Sequence, residues 1–202
     1  VEVLPHCILI WRSFTHWIGG MGVLVFLLSL LPLAGGYHMN LMKAESPGPS
    51  VSKLVPKVQD TAKILYTIYI GMTLLQIVLL LLGRIPLFDT LCISFGTAGT
   101  GGFGIVNDSM GSYSVYCQVI TTIFMILFGV NFSAYYLVLT KKFMQAFKFE
   151  EVRYYFGIIL AAIVIITFNT SHLFRNLGEA FQQAAFQVGS IITTTGFSST
   201  DF

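Results

Sequence analysis

The sequence predicts an all-α integral membrane protein built from repeated helix–loop–helix units. Three observations predict it. Of the 202 residues, 55% are hydrophobic and only 10% charged, whereas a soluble domain carries about a quarter charged residues. Four long stretches contain no Asp, Glu, Lys or Arg. A glycine–threonine loop occurs twice, as Gly99-Thr100-Gly101-Gly102-Phe103 and as Thr193-Thr194-Thr195-Gly196-Phe197, each time behind a short apolar segment.

The four stretches are Trp17 to Ala34, Ile64 to Leu82, Tyr113 to Thr140 and Tyr154 to Phe174. Each approaches or exceeds the ~20 residues that a helix needs to cross a bilayer. Pro32 ends or kinks the first, and the third is long enough to tilt. Phe88 to Gly96 and Glu179 to Ile192 are too short or too polar to span, and each sits just before a glycine loop. That is the pattern of a re-entrant half-helix with an extended return. Asp89 and Glu179 lie near the half-helix starts, where a carboxylate suits the positive end of the dipole. The opposite ends then face the bilayer centre with partial negative charge.

Charge placement orients the chain. Lys43, Lys53, Lys57 and Lys63 flank the connection between spans one and two, and Lys141, Lys142, Lys148 and Arg153 that between spans three and four. The positive-inside rule puts both connections in the cytoplasm, so both glycine loops enter from outside. The linker from Gly35 to Lys57, with Pro47, Pro49 and Pro56, marks a boundary between units. After it come a span, a loop and a span, then a second span and loop. Gly102 and Gly196 are 94 residues apart, a plausible repeat length. The chain opens at Val1 and stops at Phe202 just after the second loop, so an internal piece of a longer transporter is expected.

Irregular backbone at membrane depth is tolerated only where it is buried in protein or lines a wet cavity. Its carbonyl oxygens can then replace the water around a cation. Ion selectivity is therefore the leading functional reading of the loops, and a glycine-rich helix-packing surface is the alternative. Gly99, Gly101 and Gly104 also fit G-x-G-x-x-G, but a dinucleotide site needs a preceding strand and a later acid, and the context here is two spans. Asp108 and Asp201 follow the loops and fit either an outer ring that concentrates cations or solvated turns. Arg12 reads as an interfacial anchor beside Trp11 and Trp17, Asn131 as a helix-to-helix hydrogen bond, and Gly19, Gly20 and Gly22 as a close-packing face. Cys7, Cys92 and Cys117 are scattered, and His6, His16, His38 and His172 lack metal-ligand spacing. A membrane enzyme would need clustered acids or histidines at one depth, which the spans lack.

Trp11-Arg12-Ser13-Phe14-Thr15-His16-Trp17-Ile18-Gly19-Gly20-Met21-Gly22, together with Thr97-Ala98-Gly99-Thr100-Gly101-Gly102-Phe103 and Thr193 to Phe197, resembles the TrkH/KtrB family of potassium transporter subunits, relatives of the plant HKT proteins. The resemblance covers essentially the whole chain. It implies four helix–pore-loop–helix repeats around one potassium-channel-like pore, each giving a quarter of the filter with one key glycine. On that pattern residues 1–36 are the last helix of repeat one and 37–56 a cytoplasmic linker. Residues 57–147 are a complete repeat two, and 148–202 an incomplete repeat three.

The resemblance implies potassium uptake across the plasma membrane, with no enzymatic chemistry and no cofactor beyond K⁺ as cargo. The expected ion ligands are the backbone carbonyls of Thr100, Gly101, Gly102, Thr194, Thr195 and Gly196. Expected partners are membrane lipid, a second copy of the subunit and a cytoplasmic ring of nucleotide-binding regulatory subunits, and no nucleic acid. Half a filter cannot select, so this polypeptide alone is expected to be inactive. The rival readings are a sodium-permeable transporter of the same family and a structural membrane subunit. In the plant relatives, the key residue of the first filter quarter, absent here, helps decide sodium against potassium.

Overall fold

A computed structural model describes residues 1–22, 58–139, 141, 144 and 149–200. All regular structure among them is helical: α1 His6–Gly20, α2 Val58–Leu82, α3 Leu87–Ala98, α4 Val115–Phe128, α5 Phe132–Leu139, α6 Glu150–Thr170 and α7 Leu177–Ile192, with one 3₁₀ turn at Ser171–Leu173. Segments Ala62–Leu82 and Glu150–Leu173 are each long and apolar enough to cross a membrane.

Helix α2 shows how such a segment serves two surroundings. Ala62, Leu65, Tyr69, Thr73, Gln76 and Leu80 recur every three or four residues and are buried, while Ile70, Leu74, Leu75, Val78 and Leu82 are exposed. The buried stripe faces protein and the exposed apolar stripe suits lipid. Helix α6 follows the same plan, with Val152, Ile159, Ile163 and Thr167 buried and Ile158, Leu160, Ile165 and Phe168 exposed.

The short helices α3 and α7 lie inside this frame. α3 packs on α1, α2 and α4, and α7 packs on α4 and α6. Pro86 precedes α3, where its missing N–H leaves nothing unsatisfied. Asn176 caps α7, its Oδ1 accepting from Glu179 N–H at 2.8 Å, while Glu179 Oε2 accepts from Arg175 N–H at 3.3 Å. Asp89 of α3 accepts from the Tyr113 hydroxyl at 3.0 Å. Both short helices thus carry a carboxylate in the first turn, where the sequence placed it, and in each it has a hydrogen-bond partner.

Two expected spans differ from the sequence reading. The first helix starts at His6 rather than Trp17 and ends at Gly20, where Gly22 adopts φ +79° and its N–H bonds the Gly19 carbonyl. Residues 23–34 lie outside the described residues. The third stretch is not one helix: α4 and α5 meet at 95°. In a straight helix the Ile126 and Leu127 carbonyls would accept from residues 130 and 131. Instead the Tyr155 hydroxyl donates to Ile126 (2.9 Å), and Leu127 accepts from the Tyr135 hydroxyl (2.5 Å) and from Val130 N–H (3.1 Å). Asn131 then starts the next helix, its Oδ1 accepting from Ser133 N–H at 2.9 Å while its Nδ2 donates to Glu151 Oε2 of α6. The expected helix-to-helix bond of Asn131 is therefore present, and it sits at a bend.

Asn131→Ala removes this cap and the tie to α6. Losing a cap costs about 1 kcal/mol, so the apparent melting temperature in detergent should fall by a few degrees. An unchanged melting curve would contradict a stabilising role for this cap and tie.

Candidate functional site

The two glycine loops share one backbone design at an offset of 94 residues. In the first, Gly99 N–H bonds the Phe95 carbonyl (2.9 Å), Thr100 bonds Thr97 (3.2 Å) and Gly101 bonds Gly96 (2.7 Å). In the second, Thr193 bonds Gly189 (3.3 Å), Thr194 bonds Ile191 (3.0 Å) and Thr195 bonds Ser190 (2.9 Å). These bonds unwind the ends of α3 and α7 in the same order. Next, Thr100 and Thr194 take φ +50° and +56°, and Gly102 and Gly196 take φ +61° and +90°. Glycine adopts this region freely, but a β-branched threonine does not. Such a residue costs on the order of 1–3 kcal/mol and is characteristic of functional sites.

The loops also leave their carbonyls free. Among the described residues, no hydrogen bond is donated to the carbonyls of Thr100, Gly101, Gly102, Thr194, Thr195 or Gly196. Bonded carbonyls frame each loop, at Gly96, Thr97 and Gly104 around the first and at Ser190, Ile191, Phe197 and Ser198 around the second, while those of Ala98, Gly99, Phe103, Ile192 and Thr193 also accept no bond among the described residues. Thr100 and Thr194 are both exposed, whereas Thr195 is buried. Two consecutive loops with unpartnered acceptors at the C-terminal ends of two short helices gather partial negative charge in one place.

The loops touch. A Cβ on Gly102 would collide with the Thr195 carbonyl oxygen and lie 2.7 Å from its carbon. Around Gly196 the space is open. Met110 N–H bonds the Ser198 carbonyl at 2.8 Å, and Ser198 N–H bonds Ser109 Oγ at 3.2 Å. Phe197 is fully buried against α3, its ring 3.2 Å from where a Cβ on Gly96 would stand. Phe103, at the same place in the first loop, remains 49% exposed.

Side chains behind the loops set their position. The Thr97 hydroxyl donates to Ile93 and accepts from Gln76 Nε2 at 3.1 Å. Thr193 Oγ1 donates to the Gly189 carbonyl and lies 2.7 Å from Thr195 Oγ1. Ser190 Oγ donates to Phe197 and accepts from Gly196 N–H. The threonine hydroxyls at 97, 193 and 195 are thus used inside the protein as anchors. A chain of amides joins the repeats: Gln118 of α4 donates to the Met110 carbonyl (2.9 Å) and accepts from Gln182 of α7 (2.7 Å). Ser199 is bonded to Gln183 and to Gln187.

Helix α1 holds the first loop from its other side. Gly20 and Gly99 approach so closely that a Cβ on Gly20 would stand 2.8 Å from the Gly99 Cα. Gly19 has open space, so the expected close-packing face rests on Gly20. The His16 ring lies 5.0 Å from that of Phe103. Arg12 does not anchor beside the tryptophans. Its Nη2 donates to the Gly104 carbonyl at 2.8 Å and its guanidinium lies 5.1 Å from the Phe103 ring. Trp11 is exposed, and Trp17 packs on Tyr69 and Phe95.

Asp108 is exposed, accepts from the Ser112 hydroxyl and stands in a turn closed by Gly111 N–H on its carbonyl. That is the solvated-turn arrangement. Asp201 lies outside the described residues. Sequence reasoning missed Arg12, Gln76 and Gln118 as loop-positioning residues. The amide side chains within apolar helices were the available signal for the glutamines. Arg12 meets a partner 92 residues away, and no local pattern marks such a pairing.

The whole chain, residues 1–202, matches the family model described as TrkH, cation transport protein. It is 33% identical over 209 residues to the Trk system potassium uptake protein TrkH of Vibrio parahaemolyticus, covering 100% of this chain and 43% of that protein. Against the Trk system potassium uptake protein TrkG of Escherichia coli it is 31% identical over 206 residues, covering 100% and 42%. The crystal structure of the potassium transporter TrkH from Vibrio parahaemolyticus aligns with a TM-score of 0.77 at 29% identity, over 98% of this chain and 41% of that one. The chain thus spans less than half the length of these relatives. With its paired loops, membrane-length helices and end-to-end match, it belongs to the TrkH family of cation transport proteins.

Proposed function

We propose that this chain forms two adjacent quarters of the selectivity filter in a potassium-uptake transporter. The observation that carries this reading is the repeated loop with six unpartnered carbonyls at Thr100, Gly101, Gly102, Thr194, Thr195 and Gly196. Carbonyl rings replace the hydration shell of a dehydrated cation. The C-terminal ends of α3 and α7 add favourable field, and no covalent chemistry is involved. The curated relatives named above are potassium uptake proteins, which supports K⁺ as the cargo.

On this reading residues 57–147 form one pore repeat and 148–202 part of the next, with 1–36 closing the repeat before them and 37–56 linking on the cytoplasmic side. The loops enter from outside, and the lysine-rich connections near 37–63 and 140–153 face the cytoplasm. A second copy of the subunit and a ring of nucleotide-binding regulatory subunits complete the transporter. Two quarters do not enclose an ion, so the 202-residue polypeptide by itself carries no selective flux.

The test is K⁺ and Na⁺ uptake in a host without potassium uptake of its own. The sequence is carried within a polypeptide of full family length, with its regulatory partner supplied. Potassium-selective uptake is expected. Absence of uptake, with the protein present in the membrane, would overturn the proposal in favour of a structural subunit.

Two substitutions separate a filter from a packing surface. Gly102→Ser places a side chain on the Thr195 carbonyl, and Gly196→Ala meets only its own backbone strain. Overpacking adds roughly 1–3 kcal/mol to the cost of a positive φ. Gly102→Ser should therefore abolish selectivity or let sodium through, with the milder loss at Gly196→Ala. Unaltered selectivity in Gly102→Ser would remove that glycine from the filter.

A further inference from the structure

The exit of each loop is held by the segment that precedes it in the chain. In the second loop the Ser198 carbonyl, two residues beyond Gly196, accepts the Met110 N–H at 2.8 Å. In the first loop the carbonyl two residues beyond Gly102 is that of Gly104, and its donor is Arg12 Nη2 at 2.8 Å. The two positions correspond at the offset of 94. A backbone amide fills the role in one case and a guanidinium in the other. The guanidinium also lies 5.1 Å from the Phe103 ring, which in turn lies 5.0 Å from the His16 ring. Its Nε is buried and has no partner, so the Gly104 bond and the Phe103 ring are what hold the charged end. Hydrogen bonds from a charged donor are the strong ones.

We propose that Arg12 is a positioning residue for the filter. From α1 it fixes the Phe103–Gly104 exit and thereby the spacing of the Thr100, Gly101 and Gly102 carbonyls, as Met110 does for the second loop. This rests on the filter reading above. Arg12 touches no ion on this account: its guanidinium contacts Gly104 and Phe103 and acts on the filter through them.

The experiment compares Arg12→Gln and Arg12→Lys with the unaltered sequence, each within a polypeptide of full family length in the potassium-uptake-deficient host. The readouts are the amount in the membrane and the ratio of K⁺ to Na⁺ uptake. Arg12→Gln should lower that ratio about tenfold, the loss expected for one charged hydrogen bond, and Arg12→Lys should restore much of it. A merely structural role would lower protein amount and both fluxes in proportion, leaving the ratio unchanged. An unchanged ratio in Arg12→Gln overturns the proposal. Where only Arg12→Lys reaches the membrane, the charged bond serves folding rather than the filter, which also overturns the proposal. Loss of both variants from the membrane assigns Arg12 to folding instead and also overturns it. If the unaltered protein shows no potassium-selective uptake, the filter reading fails first.

Discussion

On the proposed filter reading, a backbone that coordinates a cation must leave its carbonyls unpaired, and the rest of the chain's arrangement follows from this constraint. Carbonyls left unpaired cannot help to hold the loops, whose own N–H groups bond back to the preceding helix ends. Every restraint must come from groups flanking the free carbonyls. That is where the bonds lie: Gly96, Thr97, Ser190 and Ile191 before the loops, and Gly104, Phe197 and Ser198 after them. The half-helices, the threonine hydroxyls and the glutamine chain fix the two ends of each loop and leave the middle bare.

Close approach follows from the same constraint. Thr195 can stand against the first loop only because position 102 has no side chain, and α1 reaches Gly99 only because position 20 has none. The glycines are thus unequal. Gly102 combines a positive φ with a neighbour in contact, Gly196 has the positive φ alone, and Gly19 has neither. A packing stripe of small residues would place the tight contacts along one helix face. Here they cluster at two turns where α1 and the second loop meet the first loop.

Much of this was legible in the sequence. Apolar runs announced α2 and α6, and a short apolar run before each glycine cluster announced α3 and α7. The correspondence of Gly102 with Gly196 was legible in the phenylalanine that follows each and in the family resemblance. The bend after α4 was not, because Gly129-Val130-Asn131 sits inside a charge-free run that hydropathy joins into one span. What breaks the helix there is supplied from elsewhere: Tyr155 on α6 takes the Ile126 carbonyl. Arg12 was misassigned for a related reason. Its neighbours in sequence are tryptophans, and its partner in space is a carbonyl in another repeat. Periodicity reports what a residue does within its own helix, and these two features depend on a second one.

The contrast between Phe103 and Phe197 extends this dependence to the unit before. Phe197 is buried in the core shared by Ile93 of α3, Met125 of α4 and Phe186 of α7. Its seat is the half-helix of the preceding unit, beside Gly96. Phe103 occupies the matching position, yet half of it is exposed and its contacts are Arg12 and His16 of α1. The same rule of packing backward along the chain applies to both rings and to both exit carbonyls. Each loop is shaped by the segment before it, so on the proposed filter reading a substitution in one segment registers in the loop of the next. That makes the residues of α1 that face the first loop as much a part of its geometry as the glycines within it.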